Sequence, residues 1–236
     1  MKFFLFFCVI LFTLSTEVLS HHPSRFTKRD NSTELPEFRR HSKRQNPFGK
    51  NRGGGGGGID GFCKKSKKTP ADGTQNRNGA CVSTVLGELP SADKMVTCIL
   101  TNPANGAQLK ANTAFNVEMV IKNIQTGAFS DPAKEYYITG QTLNANGFII
   151  GHTHVTIQQI DSPQTNNPPD PAVFAFFKGA DQAADGQGKL TIPVDNGLPP
   201  GNYRICTLSS SLTHQSVIMP VAQRGSQDDC IRMKVK

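Results

Sequence analysis

The chain has 236 residues, with 26 Lys and Arg against 18 Asp and Glu, a formal net charge of +8 and no Trp. The basic excess is confined to one segment: residues 21–68 hold thirteen basic and four acidic residues, whereas residues 69–236 hold twelve and thirteen. A basic tail beside a neutral remainder is not typical of a nucleic-acid-binding surface, so no nucleic-acid partner is expected. The lack of Trp also argues against a site that stacks bases or sugars.

Residues 1–20 have the plan of a cleavable signal peptide. Lys2 precedes an apolar run from Phe3 to Phe12, and small residues follow near Ser20. A positive start, a short apolar core and a small-residue exit are typical of secretory signals. The apolar run is well short of the roughly 20 residues that a membrane-spanning helix needs. The sequence therefore predicts a secreted, extracellular protein without a membrane anchor.

Residues 21–62 form a basic, Gly-rich segment with few apolar residues and a hexaglycine, Gly53–Gly58. Such a composition cannot bury enough apolar surface to offset chain entropy, which predicts disorder. The segment contains two dibasic pairs, Lys28-Arg29 and Lys43-Arg44, which are candidate sites for a kexin-type processing protease. Cleavage after Arg44 would make the residues up to 44 a propeptide. The alternatives are a solvated charged linker and part of a split nuclear-import signal.

The same segment holds one glycosylation sequon, at Asn31 in Asn-Ser-Thr. An exported chain passes through the compartment where this sequon is modified, so a glycoprotein is predicted. Processing after residue 44 would remove it.

Five cysteines remain once the signal peptide is removed, and in an exported chain they are candidates for disulfides: Cys63, Cys81, Cys98, Cys206 and Cys230. Cys63 and Cys81 flank a polar stretch within a Cys-containing loop region, residues 63–94, and a bridge between them would close it. Cys98 and Cys230 lie near the two ends of the following domain and are a candidate clasp. Because five is odd, one thiol is free or pairs with another chain.

Residues 95–236 read as an all-β domain without a helix of ten or more residues. Short β-prone runs alternate with Gly, Pro and Asn clusters, and Leu143–Phe148 contains an Asn-Gly turn signal. This spacing predicts an antiparallel, immunoglobulin-like sandwich. The predicted strands are Met95–Leu100, Phe115–Ile124, Gly140–Leu143, Phe148–Ile160, Val173–Phe177, Lys189–Val194, Asn202–Leu208, Ser216–Val221 and Ile231–Val235.

Three histidines in this domain are candidate metal ligands. His152 and His154 are two residues apart on one predicted strand and so point to the same face. His214 begins a later strand and is placed to reach them. Three imidazoles suit copper or zinc. The alternative is a polar strand face whose histidines bond to their neighbours, and no other cofactor is indicated.

No catalytic constellation is recognisable. Ser209–Ser211 lies in a predicted loop and no Gly-x-Ser-x-Gly elbow is present. Asp228-Asp229 reads as a turn that bonds its own backbone rather than as paired acids. The protein is therefore not expected to be an enzyme.

One loop, Asn102-Pro103-Ala104-Asn105-Gly106, resembles the Asn-Pro-x-x-Gly loop of chagasin-like cysteine protease inhibitors. Those proteins present loops from an immunoglobulin-like sandwich to the protease cleft. The resemblance implies a papain-type protease as a protein partner, with Asn102, Pro103 and Gly106 in the inhibitory loop.

The C-terminal half resembles a family of small secreted fungal proteins. The matching stretches are Gly147–Val155, Phe176–Gly179, Leu198–Arg204, His214-Gln215, Val221–Gly225 and Asp228-Asp229. Within that family, the succession of a signal peptide, a basic segment and a Cys-bearing β domain resembles the architecture of the rust transferred proteins. This resemblance implies secretion from the fungal feeding structure, the haustorium, into the surrounding matrix and then the host cell. It also implies an effector that assembles into filaments and inhibits proteases.

The run Val173–Phe177 is uncharged and strongly β-prone. It is either an ordinary core strand or, if it lies at an exposed edge, a site of self-assembly. The leading hypothesis is thus a non-enzymatic virulence effector that acts by binding or assembly. The alternatives are an extracellular copper- or zinc-binding domain and a structural protein of the fungal wall or matrix.

Overall fold

A computed structural model describes Gly61–Lys236. The predictions made for the signal peptide, the dibasic pairs Lys28-Arg29 and Lys43-Arg44, and the sequon at Asn31 lie outside these residues. The described strands are β1 (Thr97–Asn102), β2 (Gln108–Leu109), β3 (Phe115–Lys122), β4 (Ile124–Gln125), β5 (Ile149–Ile160), β6 (Phe176–Ala180), β7 (Lys189–Val194), β8 (Gly201–Ser211) and β9 (Cys230–Val235).

Helix is confined, in the described range, to two single 3-10 turns, Cys63–Lys65 and Ala92–Lys94. Neither is long or apolar enough to cross a membrane.

The strands form two sheets. The smaller sheet has the order β1-β3-β7, and the larger has the order β2-β9-β8-β5-β4, with β6 also paired to β5. The pairings are antiparallel except for two short ones, β2 with β9 and β4 with β5, which are parallel. The predicted all-β sandwich is confirmed, with these two parallel pairs as a local departure.

The core lies between the sheets and follows the two-residue period of the strands. In β3, Val117, Met119 and Ile121 are buried while the alternating residues are not. From the larger sheet, Val155 and Ile157 of β5 join the same cluster. Each such side chain contributes roughly 1.5–3 kcal/mol when it is fully buried. The other members include Leu190, Ile192, Tyr203, Ile205, Ile231, Met233 and Val235.

The chain changes sheets at Asn123. A single strand was predicted for Phe115–Ile124, but Asn123 has φ of 62°, and its side-chain amide donates to the carbonyl of Met95 at 2.8 Å. Asn tolerates the left-handed conformation better than most residues. As a result, β3 belongs to the smaller sheet and β4 pairs with β5 of the larger one.

The opposite face of the larger sheet, away from the core, is called here the outer face. It carries His152, His154 and Gln158 of β5, because these alternate with the core residues Val155 and Ile157. Arg204, Cys206 and Leu208 of β8 lie beside them in register. The outer face therefore carries the histidines towards one end and Gln158 with Arg204 towards the other, and it holds both sites described below.

Two disulfides are formed, Cys63–Cys81 and Cys206–Cys230, and Cys98 is a free thiol. The predicted clasp between Cys98 and Cys230 is wrong. Cys230 stands directly opposite Cys206 in the β8–β9 register, whereas Cys98 lies on β1 of the other sheet. Disulfides of this kind agree with folding in an oxidising compartment, as in extracellular proteins.

Two predicted strands, Gly140–Leu143 and Ser216–Val221, are reduced to isolated bridges. Gln141 explains why. Its buried side-chain amide donates to the carbonyls of Glu88 (2.7 Å) and Ile218 (3.0 Å), and its side-chain oxygen accepts from the Ile218 N–H (2.9 Å). One side chain thus supplies bonds that a strand ladder would otherwise make.

Candidate metal centre

The structure brings together the three histidines singled out in the sequence. His152 and His154 lie on the outer face of β5, and His214 lies in a turn just after β8. This turn closes through the His214 N–H and the Ser211 carbonyl at 3.1 Å, and His214 has φ of 69°. The nitrogens available as ligands lie within 4.8 Å of one another. His is among the residues that adopt this left-handed conformation more readily than most.

Each imidazole is oriented by a backbone carbonyl. His152 Nδ1 bonds to the Ala128 carbonyl at 2.9 Å, His214 Nε2 to the Ser130 carbonyl at 3.0 Å, and His154 Nδ1 to the Leu208 carbonyl at 3.4 Å. A carbonyl can only accept, so the bonded nitrogen must carry the hydrogen. The other nitrogen of each ring then presents a lone pair. Carbonyl-oriented imidazoles are the usual arrangement of metal-bound histidines.

The effect of this placement of the ring hydrogens is clearest between His152 and His214. His152 Nε2 and His214 Nδ1 are 3.2 Å apart, although both bear lone pairs when the carbonyl bonds are made. Two acceptors at this distance repel rather than bond. Ligands about 2.0–2.1 Å from a tetrahedral metal ion are separated by about 3.3 Å. The spacing thus fits two ligands of one ion.

Burial keeps two of these imidazoles neutral. Burial lowers the pKa of His152 to about 4, and the neighbouring His154 and His214 act in the same direction. Burial also lowers the pKa of His154 to about 4, with a further contribution from His214. His152 is fully buried. Neutral imidazole is the form that coordinates a metal, so protons compete weakly for these nitrogens.

Aromatic side chains enclose the cluster. The Phe129 ring lies 4.8 Å from that of His152 and 5.0 Å from that of His214. Tyr136 stacks on His214 at 5.9 Å, and Phe177 lies 5.1 Å from His154. These rings wall a cleft of about 330 Å³ that reaches His154 and His214 from solvent. The rings therefore limit the contact of the histidines with solvent, but the cleft leaves His154 and His214 accessible.

Gly179 of β6 leaves room beside the cluster. It stands opposite His154 in the β5–β6 register. A Cβ at this position would approach Phe129 Cε2 to 3.1 Å and His154 Cδ2 to 3.4 Å. Neither Gly179 nor Phe129 was identified from the sequence as part of this site. The sequence also gave no sign of the orienting carbonyls, because backbone groups are not encoded by residue type.

The other residues proposed from the sequence lie elsewhere. In the loop resembling chagasin-like inhibitors, Asn102 is exposed and donates to the Asn116 carbonyl at 2.5 Å, whereas Pro103 is buried. The Gly106 N–H donates to the Arg232 carbonyl at 2.7 Å. The loop is thus fastened to β9, and nothing in its geometry tests protease binding.

Asp228 and Asp229 accept hydrogen bonds from backbone N–H groups within two strands. Asp228 accepts from the backbone N–H of Ser209 at 2.8 Å, and Asp229 accepts from the N–H of Leu100 at 2.9 Å. Their carboxylates bond to β8 and β1, which differs from the prediction of a turn that bonds its own backbone.

These observations define a class: a disulfide-bearing β-sandwich domain with three convergent histidines. Residues 98–236 match the family model described as the CLU5d N-terminal domain, and because this match covers more than half of the chain, the protein belongs to that family. A relative from Colletotrichum graminicola, pathogenicity cluster 5 protein d, is 48% identical over 175 residues, which make up 74% of this chain and 36% of the relative. The chain thus spans about a third of that relative's length.

The resemblance to fungal secreted proteins is confirmed at the level of a fungal family. The narrower likeness to the rust transferred proteins stays a prediction. Among solved structures, the soluble domain of PmoD from a Methylocystis species is similar at 13% identity and a TM-score of 0.29, over 60% of this chain and 91% of that domain. A score this low carries no argument about either chain.

Proposed function

We propose that this chain is a secreted, virulence-related fungal protein whose β domain binds a copper or zinc ion through His152, His154 and His214. One observation carries the metal proposal: His152, His154 and His214 each bring one ring nitrogen to within 4.8 Å of the others. The virulence role is supported by the name of the relative, pathogenicity cluster 5 protein d. The protein acts by binding rather than by catalysis.

The residues fit both metals. Imidazole suits zinc and copper alike, and three protein ligands leave one position of a tetrahedral ion open. The cleft beside Tyr136 and Phe177 reaches His154 and His214 from solvent, so a further ligand would approach a bound ion from this side. Three neutral imidazoles would leave the charge of the ion uncompensated. An anion or a neutral donor from solution would complete the coordination.

Calorimetric titration of metal-stripped protein with Cu²⁺ and with Zn²⁺ tests the proposal. We expect saturation at one ion per chain that is lost in His154→Gln. The chain also holds His21, His22 and His41 outside the described domain. A variant with these three replaced by Gln is the matched control and should keep the saturable heat. If the heat follows the N-terminal histidines, or is unchanged by His154→Gln, the proposed centre is wrong.

Self-assembly is a second candidate, favoured by the position of β6. In the described residues β6 pairs with β5 alone, and Phe177 of β6 is 47% exposed. The predicted strand Val173–Phe177 is wrong at its start: Val173 and Phe174, 65% and 53% exposed, precede β6 outside any strand. An exposed apolar edge invites pairing with another chain. We expect concentration-dependent growth in light scattering that Phe174→Lys suppresses. A particle size that does not change with concentration would remove this candidate.

The remaining predictions concern partners and destination. Inhibition of a papain-type protease and delivery to the haustorial matrix or the host cell rest on the sequence resemblances. A wall or matrix protein would share the same fold and would differ in location. Immunolabelling confined to the fungal wall would favour that alternative.

A further inference from the structure

A second cluster of polar side chains lies on the outer face, at the far end from the histidines. Gln158 of β5 is paired with Arg204 of β8, and Arg204 is paired with Arg232 of β9. The three side chains form one row across the sheet. Arg204 is four residues from Leu208, the partner of His154, so this row lies about 13 Å from the histidine cluster. The two sites are separate.

The two guanidinium groups carry uncompensated charge. Like charges directly opposite each other on neighbouring strands are unfavourable. Within the described residues, the ion pairs are Lys134–Asp131 and Lys189–Glu118, and neither involves these arginines. The nearby carboxylates are engaged otherwise: that of Asp161 accepts from the Asn167 amide, and that of Asp170 accepts from the Ala172 N–H.

Most of the donors on these arginines are also unused. A guanidinium has five N–H donors in a planar fork. Arg204 Nη2 donates to Gln158 Oε1 at 2.6 Å, and Arg232 Nη1 donates to the Pro163 carbonyl. Arg204 Nε is buried and has no partner in the protein. Because this nitrogen is closed off from solvent, the donors left for a ligand in the cleft are the unused Nη groups of the two arginines.

A preformed cleft adjoins the arginines. It has a volume of about 490 Å³, and its remaining lining comes from Ile160, Thr165, Asn166, Asn167, Pro168 and Pro169. The segment between β5 and β6 forms its wall and is fastened to the sheet. Gln158 Nε2 donates to the carbonyls of Asp170 (2.9 Å) and Val173 (3.0 Å), and the Asn202 amide donates to the Asp161 carbonyl (2.9 Å).

We propose that this cleft binds an oxyanion group, a carboxylate, phosphate or sulfate, held between Arg204 and Arg232. Arginine recognises such groups through two parallel N–H donors, and charge-assisted bonds of this kind are the strongest that side chains make. A bound anion offsets the repulsion between the two cations and supplies an acceptor beside Arg204. Asn166 and Asn167 line the same cleft.

The test is an NMR titration of metal-free protein with inorganic phosphate, sulfate and acetate, each matched in ionic strength by sodium chloride. We expect saturable shifts of the guanidinium signals of Arg204 and Arg232 and of the amides of residues 165–167. Arg232→Gln should weaken binding about tenfold or more, because it removes one charged partner. Comparison of the three anions separates a phosphate or sulfate site from a carboxylate site.

Arg224→Gln is the matched control. Arg224 is exposed and donates to the Val221 carbonyl, away from the cleft, so this variant should bind as the unaltered protein does. His154→Gln should also bind the anion normally, which separates this proposal from the metal centre. Shifts that chloride reproduces, that fail to saturate, or that respond equally to the two arginine variants would overturn it.

Discussion

At the scale of single residues, the neutral histidines make stability depend on pH. The pKa of His152 and of His154 falls from 6.5, the value expected in the unfolded chain, to about 4. Between these values the unfolded chain binds more protons than the folded one, so acidification favours unfolding. Stability present above pH 6.5 is lost as the pH falls towards 4, and below 4 these groups cause no further change.

We therefore expect a shallower pH dependence when one of these histidines cannot titrate. Each histidine contributes at most about 1.4 kcal/mol per pH unit within the window. Urea unfolding of metal-free protein at several pH values between 4 and 7, compared with His152→Gln, measures the difference. Parallel curves for the two proteins would contradict the assignment of neutral, buried imidazoles.

Gln141 is the second residue from which a sharp prediction follows. Replacing it with Leu leaves the Glu88 carbonyl and both backbone groups of Ile218 without their side-chain partners. Each lost bond at a buried polar group costs about 1–3 kcal/mol. We expect a loss of about 2–4 kcal/mol in the free energy of unfolding, measured by urea denaturation.

The control for this substitution is Gln182→Leu. Gln182 is exposed and makes one bond, from its side-chain amide to the Thr191 carbonyl at 3.1 Å. If both variants lost a comparable free energy of unfolding, the buried bonds of Gln141 would contribute no more than the exposed bond of Gln182.

At the scale of elements, the two disulfides stabilise different parts of the chain. Cys206–Cys230 joins neighbouring strands of the larger sheet, whereas Cys63–Cys81 closes an 18-residue separation before β1. Cys206→Ser with Cys230→Ser should lower the free energy of unfolding by about 2–4 kcal/mol, because the unfolded chain gains entropy. Urea denaturation under non-reducing conditions measures this loss.

The corresponding change at Cys63 and Cys81 is the comparison. It should raise hydrogen exchange in residues 61–90 with a smaller effect on global unfolding, because few core residues lie in that region. Equal global losses from the two double variants would contradict this division of roles.

The sequence determines the strands better than it determines their partners. β7 was predicted with its exact bounds, and β5 within one residue, because both are β-branched runs ended by turn residues. The predicted Asn-Gly turn is present, with Gly147 at φ of 76° and its N–H bonded to the Asn144 carbonyl. β2 has two residues, too few for a strand pattern to be recognised in the sequence.

The metal centre was predictable in part. Alternation along β5 places His152 and His154 on one face without knowledge of the fold. The approach of His214 depends on the turn after β8, and the walls Phe129 and Tyr136 come from a loop far away in the sequence. Such long-range contacts follow from topology, which a single sequence does not reveal. The predicted disulfide between Cys98 and Cys230 is wrong for the same reason, because a single sequence does not show which strands are neighbours.

At the scale of the whole molecule, the core of the described residues 61–236 lies between Val96 and Val235. A chain of residues 61–236 should therefore fold without residues 1–60. We expect cooperative thermal unfolding within a few degrees of the longer protein, measured by circular dichroism. A truncated chain that aggregates, or one that lacks a cooperative transition, would show that the N-terminal segment contributes to folding.

β8 has pairing partners on both sides, and Cys206 ties it covalently to β9 between the levels of the histidines and the arginines. We expect a strand held in this way to keep its position when one end is occupied. Metal binding and anion binding should therefore be coupled only by the screened attraction between the two charges. The larger sheet would then act as a rigid spacer that holds two chemically different ligand groups at a constant separation.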